Sequence, residues 1–154
     1  MKKLSRYFRI APIDILVYRM TEIGPSPGEL PYVVDEANDG NKIRYSVTDN
    51  GQFVHRSFLY LKVNVLRLLG KSGPAIGNCI TSEKYRGQSV YPKMIYRIAT
   101  GLLNKGVGEV FIIVNSGNIA SIRGIEKAGF ERFASVKAKR FLLFYFDKKI
   151  KFHV

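Results

Sequence analysis

Tyr85-Arg86-Gly87-Gln88-Ser89-Val90-Tyr91 separates an apolar, strand-like run, Ala75–Thr81, from an amphipathic helical pattern over residues 89–105. Amides at the start of a helix point outward and carry partial positive charge, so a strand–turn–helix of this kind is a ready anion site. Arg86 and Gly87 just ahead of the helix point to a phosphate as that anion. Further on, Asn118-Ile119-Ala120-Ser121-Ile122-Arg123-Gly124-Ile125-Glu126-Lys127-Ala128-Gly129-Phe130 reads as a second helix. Asn118 can serve as its N-cap and Gly129 as its left-handed C-cap, with Ile119, Ile122 and Ile125 facing the core.

Working outward, Val90, Met94, Ile95, Ile98, Ala99, Leu102 and Leu103 recur at helical spacing. Pro92 is tolerated because it falls in the first turn, and Lys105-Gly106 is an expected helix end. Residues 110–114 are continuously apolar, the mark of a buried central strand. Before the decisive stretch, residues 13–19 read as a first strand with Ile13, Ile15 and Val17 on one face. Gly24-Pro25-Ser26-Pro27-Gly28 is a breaker cluster, Tyr32-Val33-Val34 is short and ambiguous, and Asn38-Asp39-Gly40-Asn41 reads as a turn. Residues 43–48 alternate as a second strand, and Asp49-Asn50-Gly51 is a strong hairpin signal. A third strand is expected from Phe53 as far as Val65, with residues 66–74 as a connecting turn and 74–81 as the fourth strand. Residues 130–136 and 139–146 are expected as a closing pair of strands.

With 154 residues, the chain is expected to be one domain over residues 1–154, able to bury about two-thirds of its unfolded surface. A hydrophobic content of 46% supports a true core. No apolar run approaches the ~20 residues that span a bilayer, and the basic start lacks the apolar centre of a signal peptide, so the expectation is a soluble, cytoplasmic protein. Cys79 is the only cysteine, which excludes an intrachain disulfide and a cysteine-based zinc site; His55 and His153 make a poor metal pair, so no metal is expected. The net charge of +13 favours anionic partners: nucleic acid, phosphorylated cofactors, nucleotide-sugars or an anionic membrane surface. The cations cluster at the ends, with Lys2, Lys3, Arg6 and Arg9 at the start, and Lys137, Lys139, Arg140, Lys148, Lys149 and Lys151 near the finish. A plain solvated surface accounts for such runs equally simply.

The ordered pair of segments, 85–91 and 118–130, resembles the acetyl-CoA-binding half of the GNAT acyltransferase superfamily, over about residues 75–145. The resemblance implies an α+β fold with a mixed, mostly antiparallel central sheet flanked by helices. The family usually places two helices after the first strand; residues 21–41 hold Pro25, Pro27, Pro31 and several glycines without helical period, so those helices are expected to be shortened or missing. The family's loop pattern is Gln or Arg, two residues, Gly, one residue, then Gly or Ala. Arg86 fits the first position, and Ser89 and Tyr91 replace the two small residues. Glycine there lets backbone approach the pyrophosphate without a Cβ in the way. The resemblance further implies that the backbone of Cys79, Ile80 and Thr81 pairs with the pantetheine arm of acetyl-CoA. Arg86, Gly87, Gln88, Ser89, Val90 and Tyr91 would hold the pyrophosphate, while Asn118 and Ser121 line the thioester region. Arg123 and Lys127 either reach the phosphorylated ribose or form a solvated helix face.

Acyl transfer to an amine requires loss of an amine proton, donors for the oxyanion and departure of a thiolate. In this family the acceptor usually attacks directly, with an oxyanion donor where the fourth strand splays from the fifth, here the N–H of Cys79 or a neighbour. The tyrosine that often protonates the thiolate is Ile125 in this chain, leaving Tyr91 or Tyr145 as substitutes. His55, with an intrinsic pKa near ~6.5, is the first candidate base, balanced against a half-buried structural histidine. Glu83 is the second candidate, balanced against a solvated loop acid. Cys79 is read as core rather than nucleophile. The segments 54–58, 76–81 and 86–92 also look similar to GNAT members linked with bacterial surface-polysaccharide assembly, which implies an amino-sugar or nucleotide-sugar acceptor. Three readings therefore stand: an N-acetyltransferase on a small-molecule amine, a protein N-acetyltransferase, and a GNAT-like domain that binds CoA or nucleic acid without turnover. A sheet-edge homodimer is among the arrangements the family implies.

Overall fold

A computed structural model describes residues 9–153; Lys2, Lys3 and Arg6 of the basic start lie outside the described residues. The fold is α+β. Eight strands form one sheet in the order β2-β3-β4-β5-β6-β1-β7-β8. Their ranges are β1 Ala11–Met20, β2 Asp35–Asp39, β3 Lys42–Asp49, β4 Gln52–Tyr60, β5 Ala75–Thr81, β6 Val110–Asn115, β7 Glu131–Phe141 and β8 Phe144–Phe152. Every neighbouring pair is antiparallel except β5 and β6, which are parallel. Two helices, α1 Val90–Asn104 and α2 Ile119–Lys127, pack on one face over Leu16, Tyr18, Val54 and Ile112. The opposite face is covered by a short helical turn, Asn64–Leu69, whose Val65, Leu66 and Leu69 meet Ile15, Val17 and Phe111. Among the described residues, no helix is long and apolar enough to cross a membrane.

The position of β1 explains its composition. It lies between β6 and β7 in the middle of the sheet, with α1 and α2 over one face and the Asn64–Leu69 turn over the other, so Ile15, Leu16, Val17 and Tyr18 are all buried. The stripe of Ile13, Ile15 and Val17 is real, but Leu16 and Tyr18 on the other face bury just as deeply. Tyr18 also ties α2 to the sheet: its hydroxyl donates to Glu126 Oε1 at 2.7 Å and accepts from Arg132 Nη2 at 3.1 Å. Residues 21–34 contain no helix, as the prolines dictate. The hairpin signal at Asp49-Asn50-Gly51 joins β3 to β4, with Asn50 (φ 48°) and Gly51 (φ 77°) both left-handed.

Three boundaries differ from expectation. β2 runs through Asn38 and Asp39, which read as turn, because pairing with β3 overrides their weak strand propensity. β4 ends at Tyr60, not at Val65, and residues 64–69 turn helically to bury Val65, Leu66 and Leu69, closed by left-handed Gly70 (φ 64°), whose amide donates to the Arg67 carbonyl at 3.1 Å. β7 continues to Phe141, and β8 starts at Phe144, so the closing hairpin turns at Leu142-Leu143, not near residue 138. No glycine, proline or asparagine marks that turn, and the irregularity between Lys137 and Lys139 is a bulge within the ladder.

Candidate active site

The parallel pair β5–β6 holds together only through Ala75↔Phe111 and Ile76↔Ile112. Beyond Ile76 the strands part. Asn78 takes a left-handed conformation (φ 50°), and the pairing of β5 with β4 shifts register between Arg56 and Phe58. From there β5 is bonded to β4 on one edge through Arg56↔Ile80 and His55↔Thr81, while its other edge faces the opening. A cleft of about 600 Å³ fills that opening, bounded by β5, the loop before α1, and α2.

Of the residues singled out from the sequence, Cys79, Ile80, Thr81, Arg86, Gly87, Ser89, Val90, Tyr91 and Ser121 line this one cleft, together with Lys127. The loop is rooted by Tyr85, which is buried and donates its hydroxyl to Asp49 Oδ2 at 3.1 Å. Gly87 (φ 78°) and Ser89 (φ 59°) are both left-handed, and no atom lies within 4 Å of the space a Cβ at Gly87 would take. Ser89 precedes α1 without capping it through its side chain. Its Oγ accepts from Lys127 Nζ at 2.6 Å instead, a bond that bridges the loop and α2 across the cleft. That leaves the Ser89 O–H free to donate. Two cations, Arg86 and Lys127, thus stand near the N-terminus of α1, with the open side of Gly87 between them.

Other candidates sit outside the cleft wall. Gln88 donates through its side-chain amide to the Lys84 carbonyl at 3.4 Å. Asn118 caps α2, its side chain accepting from the Ser121 amide at 3.2 Å. Glu83 has an 89% exposed side chain and pairs with Arg86 at 3.7 Å. Ile125 is fully buried against the sheet, and Tyr145 lies in hollows beside Lys62 and Asn64, away from this cleft.

His55 lies on β4 behind the cleft wall and is completely buried. Its Nε2 is 2.7 Å from Ser57 Oγ and its Nδ1 is 2.8 Å from Thr81 Oγ1. Ser57 spends its own proton on Cys79 Sγ at 3.1 Å, so the Ser57 oxygen accepts from His55 Nε2–H, and Nδ1 accepts from the Thr81 hydroxyl. This network assigns the tautomer and forms a chain, Thr81–His55–Ser57–Cys79, in which both ring nitrogens are occupied. Burial pushes the imidazole down to about 4, so it is neutral at physiological pH. Burial likewise pushes the Cys79 thiol up to about 11, against a smaller opposing effect of the Ser57 hydrogen bond, and so disfavours the thiolate a nucleophile would need. Among the described residues that line the cleft there is no Asp, Glu or His.

Tyr91 is the departure with the clearest structural consequence. Its ring packs on Gly124 of α2, where a Cβ would lie 2.6 Å from one ring carbon and 2.8 Å from the next. The ring centroid is 6.1 Å from that of His55. Burial, with a smaller contribution from Cys79, pushes the phenol well above its usual range. Its hydroxyl has no hydrogen-bond partner among the described residues. In the sequence Gly124 reads only as part of the second helix. A glycine inside a helical pattern is unfavourable unless space demands it, and that was the available signal.

The observation that decides the fold's kinship is the partial parallel pair with a loop–helix opposite its opening. No protein-family model matches the sequence, and no curated protein matches it. Among solved structures the chain is similar to a protein assigned to the GNAT family of acetyltransferases from Novosphingobium aromaticivorans, with a TM-score of 0.61 over 84% of this chain and 64% of that one, at 13% identity. It is also similar to a GNAT-family acetyltransferase from Colwellia psychrerythraea, with a TM-score of 0.57 over 85% of this chain and 57% of that one, at 12% identity. The chain has the GNAT fold. It spans less than two-thirds of the length of either structure. Residues 21–34 run without a helix, in line with the expectation that the two helices usual after the first strand are shortened or missing.

Proposed function

We propose that this protein is an acetyl-CoA-dependent acyltransferase that acetylates a small-molecule amine by direct attack. The observation that carries the reading is the cleft where β5 leaves β6, with an unpaired strand edge on one side and the N-terminus of α1 on the other. The residues present fit acetyl-CoA. The edge of Cys79, Ile80 and Thr81 turned away from β6 suits an extended pantetheine arm, which would add to it like a strand, with the Thr81 carbonyl already accepting from Arg86 Nε at 3.3 Å. Gly87 and Ser89 both turn the loop backbone left-handed, the space a Cβ at Gly87 would take is open, and Lys127, with Arg86 beside Glu83, supplies positive charge for phosphates. When bound, acetyl-CoA supplies the activated acyl group as a thioester.

The chain's own contributions follow from the geometry. At the bend around Asn78, where β5 leaves β6, we assign the N–H of Cys79 or a neighbour as the oxyanion donor. Tyr91 keeps its proton at neutral pH, so its unpartnered hydroxyl is a hydrogen-bond donor in the cleft, and we assign it to the departing sulfur in place of Ile125. A thiol with a pKa near ~8.5 leaves tolerably without complete proton transfer. His55 is a positioning residue: it is too weak a base at about 4 to hold an amine proton, and it fixes Thr81 on the cleft wall and Cys79 through Ser57. Glu83 points into solvent, so the amine proton passes to water. An amino-sugar or nucleotide-sugar acceptor is supported by the net charge of +13 and by a cleft wall without carboxylates, which suits an acceptor carrying phosphate. That same lack of a base favours a second reading, a domain that binds CoA without turnover.

The test is calorimetric titration with acetyl-CoA, with dephospho-CoA and ATP as controls, at two salt concentrations, followed by mass-spectrometric detection of acetylated amino-sugar phosphates. Saturable micromolar binding that survives moderate salt, with product formed, supports the enzyme; binding without product for any amine offered supports the second reading. Binding that vanishes with salt for every polyanion alike sinks both. Tyr91→Phe is expected to retain affinity and lower kcat by about 10²-fold.

A further inference from the structure

The β7–β8 hairpin ends in a feature that neither the fold nor the cleft uses. Its tip is Leu142-Leu143-Phe144, with side chains 43%, 74% and 73% exposed. Hairpin turns ordinarily carry Gly, Asn or Asp, yet Leu142 here holds a left-handed backbone (φ 54°) that a leucine adopts unfavourably. Leu143 and Phe144 at this turn are left largely in solvent.

The surroundings of the tip are strongly cationic. Two hollows flank it. One is lined by Lys62 and Arg140 together with Leu142 and Leu143, and the other by Arg67 together with Leu143 and Phe144. Lys62, Arg67 and Arg140 form no ion pair among the described residues. Further down the same strands come Lys148, Lys149 and Lys151, again without acidic partners there, while Lys137 and Lys139 pair with Asp14 and Asp147. The sequence holds no Asp or Glu between Asp49 and Glu83, nor between Glu131 and Asp147. Both segments that meet at the tip are thus free of acid.

We propose that the Leu142-Leu143-Phe144 tip, ringed by Lys62, Arg67 and Arg140, docks on an anionic phospholipid bilayer. Aliphatic and aromatic side chains exposed at the hairpin turn enter the boundary between headgroups and acyl chains, and the cations around them meet the anionic headgroups. Nucleic acid fits the charge but not Leu142 and Leu143, which offer no stacking surface to a base. A two-fold pairing of tips from two copies would bring Lys62, Arg67 and Arg140 against their own images, with no acid near to offset them.

This inference stands apart from the acyltransferase reading, since vesicle binding requires neither acetyl-CoA nor turnover.

The chain contains no tryptophan, so Phe144→Trp places a single reporter at the tip. Its emission is expected to shift to the blue with phosphatidylcholine vesicles containing phosphatidylserine, and little with phosphatidylcholine alone. In co-sedimentation with the mixed vesicles, Leu143→Ser/Phe144→Ser and, separately, Lys62→Gln/Arg67→Gln/Arg140→Gln are each expected to lower partitioning by about tenfold or more, since both the apolar insertion and the charge are required. Circular dichroism checks that both variants keep the fold, and either one alone suffices for the test. No blue shift with any vesicle overturns the proposal. So does sedimentation that the serine variant leaves unchanged, or a blue shift produced by RNA or by raised protein concentration without lipid.

Discussion

Gly124→Ala puts a methyl group where Tyr91 already is. The added Cβ would lie 2.6 and 2.8 Å from two ring carbons, and the third-nearest atom, another of the Tyr91 ring, is already at 3.7 Å. Tyr91 is thus the whole obstacle, and the rest of the site has room for the methyl. In an open helix interior the substitution gains about 1 kcal/mol of propensity. Forcing an aromatic ring aside in a packed site costs about 1–3 kcal/mol. The net expectation in the native background is a loss of about 1 kcal/mol, or a fall in Tm of about 2–4 °C for a chain of this size. With Tyr91→Ala already in place the obstacle is gone, and the same Gly124→Ala change is expected to stabilise by up to about 1 kcal/mol. The assay is thermal and urea unfolding of the four proteins of this double-mutant cycle. A change of sign between backgrounds, with a coupling of about 1–3 kcal/mol, is the expected result. Equal destabilisation by Gly124→Ala in both backgrounds would refute the packing argument, and with it the placement of the Tyr91 hydroxyl in the cleft. In the native background the displaced ring is also expected to lower turnover more than it lowers acetyl-CoA affinity.

Two further outcomes concern the network and the loop. The His55 imidazole is held at about 4 when folded, against about 6.5 when unfolded, so below pH 6.5 the unfolded chain takes up a proton that the folded one refuses. Stability is therefore lost as pH falls from about 6.5 toward 4, by about 2 kcal/mol between pH 7 and pH 5, and urea unfolding of His55→Gln is expected to lose that part of the slope. An unchanged slope would place the histidine in solvent. Lys127→Ala removes an exposed cation that bonds Ser89 across the cleft. It is expected to change stability by less than about 0.5 kcal/mol while weakening acetyl-CoA about fivefold and flattening the salt dependence, both read by calorimetry.

The readings that held were those written in local chemistry. Asn118 accepts from the Ser121 amide and Gly129 is left-handed (φ 86°), so α2 has the caps its sequence announces. Asn50 and Gly51 turn the β3–β4 hairpin because those two residue types tolerate positive φ. The loop at residues 86–91 lies against β5 because a strand, a tight turn and an amphipathic helix leave few other arrangements. The readings that failed depended on partners remote in sequence. Leu142-Leu143 turns a hairpin without any turn residue because β7 and β8 pair along their length on either side of it. Asn38 and Asp39 are strand because β3 holds them there.

The candidate site divides in the same way. That Cys79, Thr81, Arg86, Ser89 and Tyr91 would share one wall was legible, since strand, loop and helix start follow one another directly between residues 79 and 91. That His55 would stand behind Thr81, neutral and with both nitrogens occupied, was not legible, because its burial comes from the register of β4 against β5 and from the helix packed above. Nor could the sequence tell that Tyr91 would meet Gly124, a contact between two helices fixed only once both pack on the same sheet face. By itself, then, the sequence determined the helices, the hairpin and the loop, because backbone preferences and caps act over a few residues. The tertiary structure alone decided the strand order, the opening between β5 and β6 and the protonation state of its buried groups, because pairing, packing and desolvation arise only when distant segments meet.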